Sequence, residues 1–242
     1  MKKFMALLLV AGMTLSLTAC GGSTDTAKTD QADGKDTFTV GFDQDFPPFG
    51  YVGDDGEFTG FDIEMATECA ARMGKKIVLQ PIDWDAKDME LEAGTIDCIW
   101  NGFTMNGRED QYTWTDPYMD NSQVVVVKKD SGINTLADLA GKVVEVQKES
   151  AAETALNDEE HADLMASFAQ LLSVGEYNTA FMDLESGAVD AVAIDIGVAQ
   201  FQIEGKEDQY QILDETISSE QYAVGFFLGN TALRDEVQST LL

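Results

Sequence analysis

Ile96-Asp97-Cys98-Ile99-Trp100, followed at once by Asn101-Gly102-Phe103-Thr104-Met105-Asn106-Gly107-Arg108, decides how this chain reads. The first five residues are a short apolar run that ends at polar turn residues, and they predict a buried strand. The loop behind it packs a hydroxyl, glycine-exposed amides and a guanidinium into eight residues. In open α/β sheets, ligands bind beyond the carboxyl ends of the strands, which is where this loop falls. A guanidinium grips both oxygens of a carboxylate at once, so the loop has the chemistry of a carboxylate receptor. Taken alone, Arg108 also reads as a surface partner of Glu109 or Asp110.

The same alternation extends outward in both directions. Thr37 to Phe42 predicts a strand that breaks at Asp43-Gln44-Asp45-Phe46-Pro47-Pro48-Phe49. Ile63, Ala66, Ala70 and Met73 recur at helical spacing up to Gly74, Lys76 to Gln80 predicts a strand, and Asp85 to Ala93 a short helix. Beyond the loop come a strand over Gln123 to Val127, a short helix over Thr135 to Ala140 closed by Gly141, and a strand over Val143 to Val146. A helix starts at Ala151, Ala188 to Ile194 is a buried strand, Gln221 to Leu228 the last strand, and Thr231 to Leu242 a helical run. Two such series predict parallel sheets covered by helices, arranged as two α/β lobes with a cleft between them.

Composition narrows the chemistry. With 242 residues the chain has room for one large domain or two modest lobes. Fifteen Lys and Arg stand against 44 Asp and Glu, a net charge of −29 that argues against a nucleic-acid surface. Hydrophobic residues at 44% and charged residues at 24% indicate a packed globular body, not an acidic tail. His161 is the only histidine and sits among Asp158, Glu159, Glu160 and Asp163, which predicts a solvated helix face. No serine lies in a Gly-x-Ser-x-Gly elbow, no Cys/His set has metal-ligand spacing, and no phosphate-binding glycine loop is present. Asp54-Asp55-Gly56-Glu57 lacks the alternating oxygen ligands of a calcium loop. No catalytic residue, metal or cofactor is expected.

At the start of the chain, Lys2 and Lys3 precede an apolar run that reaches Leu17-Thr18-Ala19-Cys20. Residues 1–19 read as a signal peptide, and the small residues before Cys20 resemble a bacterial lipobox, which implies a lipid on Cys20. Residues 20–36 are polar and predict a flexible tether. Cleavage before Cys20 makes the balance −31. Cys69 and Cys98 read equally as a disulfide of an exported protein or as two buried thiols.

Val40-Gly41-Phe42-Asp43 with Phe46-Pro47-Pro48-Phe49, Gly60-Phe61-Asp62-Ile63-Glu64, Ile82-Asp83-Trp84, the stretch from Ile96 to Thr104, Arg108-Glu109 and Asp116-Pro117-Tyr118 resemble the polar amino-acid substrate-binding proteins of ABC importers. Leu136 to Val144, Gly187-Ala188-Val189-Asp190-Ala191 and Val224-Gly225-Phe226 continue the pattern, so the likeness covers about residues 37 to 242. It implies two Rossmann-like lobes joined by a two-strand hinge, a periplasmic-binding-protein-like type II fold. Lobe 1 is then 37–121 plus 227–242, with a further helix and tail normally following, and lobe 2 is 122–226.

By the same resemblance, Arg108 matches the clamp for a ligand α-carboxylate, assisted by Thr104 and the backbone around Asn101 and Gly102. Ser150 and the amide of Ala151 complete that end from the second lobe. Asp195 matches the acceptor of the α-ammonium, Phe46 and Trp84 the aromatics around the ligand side chain, and Asp43 an acid at the far end. Without the pattern, Asp195 reads as a helix N-cap and the two aromatics as core packing. Glu149 departs from the family, which usually has glycine before the serine, and its side chain is expected to crowd the loop or add charge there. The implied activity is capture of a polar or cationic free amino acid by lobe closure and delivery to an importer's membrane permease. The implied setting is a monomer anchored through Cys20 outside the cell membrane, or in the periplasm. An arogenate or prephenate dehydratase-like enzyme and the sensor domain of a signalling protein share this fold and stand as alternatives.

Overall fold

A computed structural model describes residues 35–241; the segment read as a signal peptide, Cys20 and nearly all of the expected tether lie outside the described residues. Two sheets organise the chain. In the first, Lys76–Pro81, Thr37–Phe42, Cys98–Ile99, Gly225–Phe226 and Thr113–Trp114 follow one another in space. Thr37–Phe42 lies parallel to both of its neighbours, pairing Thr37 with Lys76 and Val40 with Cys98. Phe38 and Val40 point into one core with Trp100, Phe226 and the buried Ala66, Cys69 and Ala70 of the helix Phe61–Arg72. The final helix, Thr231–Leu241, closes that core with Val237 and touches the first helix where Thr240 Oγ1 meets Cys69 Sγ at 2.7 Å. Cys69 and Cys98 are both buried free thiols, which resolves the alternative left open by the sequence.

In the second sheet, Gln170–Val174, Val143–Gln147 and Ala191–Asp195 are parallel, and the ten-residue strand Met119–Lys128 runs antiparallel to Ala191–Asp195. Tyr210–Ile212 and Ser218–Tyr222 pair with its other edge, also antiparallel. The sheets are therefore mixed where alternation predicts parallel ones, because the long strand and the returning segments enter without a helical crossover. Apolar residues of both parities along Met119–Lys128 are buried, Val124 and Val126 in one core and Val125 and Val127 in another, as helices cover both faces.

The strand expected over 221–228 is two strands in different sheets. Ser218–Tyr222 belongs to the second sheet and Gly225–Phe226 to the first, so the chain returns to the first lobe earlier than a boundary after Phe226 implies. The outward passage lies between Trp114 and Met119. The two passages hold each other: Thr115 N–H donates to Val224 O at 3.1 Å and Val224 N–H to Thr115 Oγ1 at 3.0 Å. Two α/β lobes joined by a paired connection are thus the architecture, with a small antiparallel sheet of Asp45–Phe46, Gly50–Val52 and Phe58–Thr59 beside the first.

Candidate functional site

Between the lobes lies a narrow cleft lined by Phe46, Trp84, Asn101, Gly102, Thr104, Arg108, Gln147, Ser150, Ala151 and Asp195. Nine of the ten residues expected in the site line it. Asp43 does not. Its carboxylate is buried behind Gln147, with Oδ1 accepting from Asp45 N–H at 2.8 Å and Oδ2 from Gln147 Nε2 at 2.6 Å. Burial pushes its pKa up to about 6, against the pull of those two donors. Gln147, unassigned from sequence, takes the place at the cleft wall: its Nε2 is committed to Asp43 and to Gly175 O at 2.9 Å, two acceptors that fix the amide's orientation.

The lobes are closed on one another. Trp84 Nε1 donates to Glu149 O at 3.3 Å, Arg108 Nη2 to the same oxygen at 3.4 Å, and Lys148 Nζ lies 2.7 Å from Asp85 Oδ2. Phe46 packs on Phe49 and Tyr177 with centroids 5.8 and 6.0 Å apart, and Trp84 meets Phe103 edge-on at 5.5 Å. Both aromatics therefore line the cleft and pack into a core at the same time.

One end of the cleft is cationic. Arg108 is buried, yet its guanidinium bonds only to carbonyls, Thr104 O at 3.2 Å and Glu149 O at 3.4 Å, and no described acid lies within ion-pair distance of it. The surface partnership with Glu109 or Asp110 is absent. A buried guanidinium held by neutral acceptors keeps its attraction for an anion. Gly102 beside it has φ 55°, and a Cβ there would stand 3.0 Å from the Phe46 ring and 3.1 Å from Tyr222. The Gly102 N–H donates to Asp62, which also accepts from Tyr118 at 3.0 Å and whose burial raises its pKa to about 7. From the other lobe, Ser150 caps the helix Ala151–Asn157 by accepting from Glu153 N–H at 3.1 Å, leaving its own proton to donate. The Asn101 side chain is buried and has no partner at either polar atom.

The other end is anionic. Asp195 stands at the N-cap position of the helix Ile196–Ile203 but makes no capping bond there. Its Oδ1 instead accepts from Tyr222 at 2.6 Å and from Asn121 and Gln123 at 2.7 Å each. Burial, and next to it the charge of Glu220, push its pKa up. Asn121, Gln123, Glu220 and Tyr222 were not read from the sequence as site residues. The available signal is a polar run, Asp120 to Gln123, at the head of a strand whose next four residues are all valine.

Glu149 has φ 60°, the only non-glycine in the left-handed region among the described residues. This is the conformation glycine adopts without a Cβ penalty. Its side chain is exposed and not part of the cleft lining, so the expected crowding does not occur, and its carbonyl is what both Trp84 and Arg108 touch. His161 lies on the turn Glu159–His161, half-buried and apart from the cleft.

The sequence model of the bacterial extracellular solute-binding proteins, family 3, matches residues 38–242. The L-cystine-binding protein TcyJ of Escherichia coli (strain K12) is 29% identical, covering 98% of this chain and 86% of its own length. The arginine-binding extracellular protein ArtP of Bacillus subtilis is also 29% identical, over 100% of this chain and 92% of its own. An ABC uptake transporter substrate-binding protein from Streptococcus pneumoniae, solved with bound histidine, superposes with a TM-score of 0.80 at 33% identity, covering 85% of each chain.

Proposed function

The chain belongs to the bacterial extracellular solute-binding proteins, family 3, and from that premise we propose that it captures a free amino acid in the interlobe cleft and presents it to an ABC importer. The observation that carries this reading is the pairing of poles across one cleft: a buried Arg108 without a carboxylate partner, and a buried Asp195. A zwitterion with its carboxylate on Arg108, Ser150 and the Ala151 amide, and its ammonium on Asp195, neutralises both. Phe46 and Trp84 flank its side chain, and Gln147, held by Asp43, offers an amide oxygen to a donor on that side chain. Closure follows as a population shift, because only the closed form brings both poles to the ligand together.

The relatives are binding proteins, not enzymes, so the dehydratase alternative has no support there. As to the setting, we read residues 1–19 as a secretion signal and Cys20 as the site of a lipid that tethers a monomer outside the membrane. Labelling with a radioactive fatty acid tests this: label is expected on the native chain and not on Cys20→Ser. For the binding reading, thermal unfolding is followed with saturating arginine, lysine, histidine, glutamine, glutamate and cystine in turn. At least one is expected to raise the midpoint by several degrees, and flat responses to all six overturn the reading.

A further inference from the structure

The anionic pole holds a second carboxylate. Register sets it there: on the strand Met119–Lys128, Gln123 pairs with Asp195 on one side and Asn121 pairs with Glu220 on the other, so four polar side chains from three strands meet. Asn121 Nδ2 bridges Asp195 Oδ1 and Glu220 Oε1 at 2.7 Å each, and Gln123 Nε2 bridges the same two oxygens at 2.7 and 2.8 Å. Both amides spend their two protons on carboxylate oxygens, which fixes their orientation. Glu220 Oε1 also accepts from Thr104 Oγ1 at 2.7 Å, across the interlobe boundary. A hydroxyl has one proton, and this one is committed to Glu220, so Thr104 has only lone pairs left for the cleft that it lines. That is the wrong polarity for a ligand carboxylate and the right one for an ammonium. Asp195 has its second oxygen, Oδ2, free of any donor from the described residues, and it too lines the cleft.

We propose that Glu220 is a positioning residue of the ammonium subsite, which turns Thr104 into an acceptor beside Asp195 and adds a second negative charge, so that the pole discriminates ligands bearing an α-ammonium from those that lack one. Thr104 then belongs to the ammonium end and not, as the family resemblance implies, to the carboxylate end. The inference rests on the amino-acid reading of the cleft, and the two are separable by experiment. Titration calorimetry compares L-arginine with 5-guanidinopentanoate, and L-histidine with 3-(imidazol-4-yl)propionate, each pair differing only in the α-amino group. In Glu220→Gln the affinity ratio of amino acid to deaminated analogue is expected to fall at least tenfold, with the analogue's own affinity changed less than threefold. Thr104→Val reproduces the fall and Thr104→Ser, which keeps the hydroxyl, retains the native ratio; this pair answers the question if Glu220→Gln folds poorly. Equal weakening of both ligands, or an unchanged ratio, overturns the role of Glu220 while leaving amino-acid binding intact. If the native protein binds neither amino acid and is also silent toward the wider amino-acid set, the reading of the cleft falls and this inference with it.

Discussion

The two poles of the cleft are built by different means. Arg108 and Gly102 come from one loop, and the guanidinium is held by carbonyls on either side of it. The opposite pole has no local origin: Asn121, Gln123, Asp195 and Glu220 converge because three strands share a register across about a hundred residues of chain. A local motif delivers an isolated charge, whereas strand pairing delivers a network in which each group's proton is already allocated. The first pole is therefore sensitive to one side chain, and the second distributes its effect over several.

Removing the cation tests this most severely. Arg108→Ala is expected to weaken amino-acid binding by about 3 kcal/mol, roughly a hundredfold, measured by calorimetry, since it strands a carboxylate in the cleft. Asp195→Asn, with four neighbours still in place, is expected to cost less, about 2 kcal/mol or roughly thirtyfold. A loss at Asp195 larger than at Arg108 breaks the contrast.

Proton linkage sharpens it. Burial raises the pKa of Asp62 to about 7 and of Asp43 to about 6, and raises that of Asp195. Between the ordinary carboxylate range and these values the folded state binds more protons than the unfolded chain, so ligand-free stability falls as pH rises from about 4 to 7. Ammonium binding has the opposite sign, because Asp195 attracts a cation only once its proton has left. Affinity is expected to rise over the upper part of the interval in which stability falls, and to rise less in Asp195→Asn. Asp62→Asn removes one of the retained protons and is expected to flatten the stability slope by roughly 3 kcal/mol across that interval, read from chemical denaturation at several pH values. A slope as steep as the native one removes Asp62 from the account.

The smallest effect concerns the loop between the poles. Glu149→Gly frees a left-handed residue of its Cβ penalty and keeps the carbonyl that Trp84 and Arg108 use. Strain relief of about 1 kcal/mol, partly offset by the greater freedom of glycine in the unfolded chain, leaves a net stabilisation below about 1 kcal/mol. Thermal unfolding without ligand resolves that change, and destabilisation contradicts it.

What the sequence disclosed follows the same division. Periodicity of three to four found the helix Phe61–Arg72, and the β, α alternation placed Arg108 at a strand end where the cleft is. The antiparallel course of Met119–Lys128 was hidden, since a strand buried on both faces is apolar at every position whichever way its neighbours run. Asp43 was misplaced for a related reason: a sequence shows that an acid is near a pocket, but not that Gln147 stands in front of it. Asp195 was legible only by resemblance, and its partners were not, because pairing register is a property of two segments together and neither carries it alone.

The mutual bonds between Thr115 and Val224 give the two passages a common fate. Neither strap can twist without the other, so relative motion of the lobes is confined to few directions. A molecule articulated in that way converts occupancy at its centre into a change of spacing between surfaces remote from it. A membrane partner that grips both lobes at once then has a ruler for a full cleft, with no need to touch the cargo.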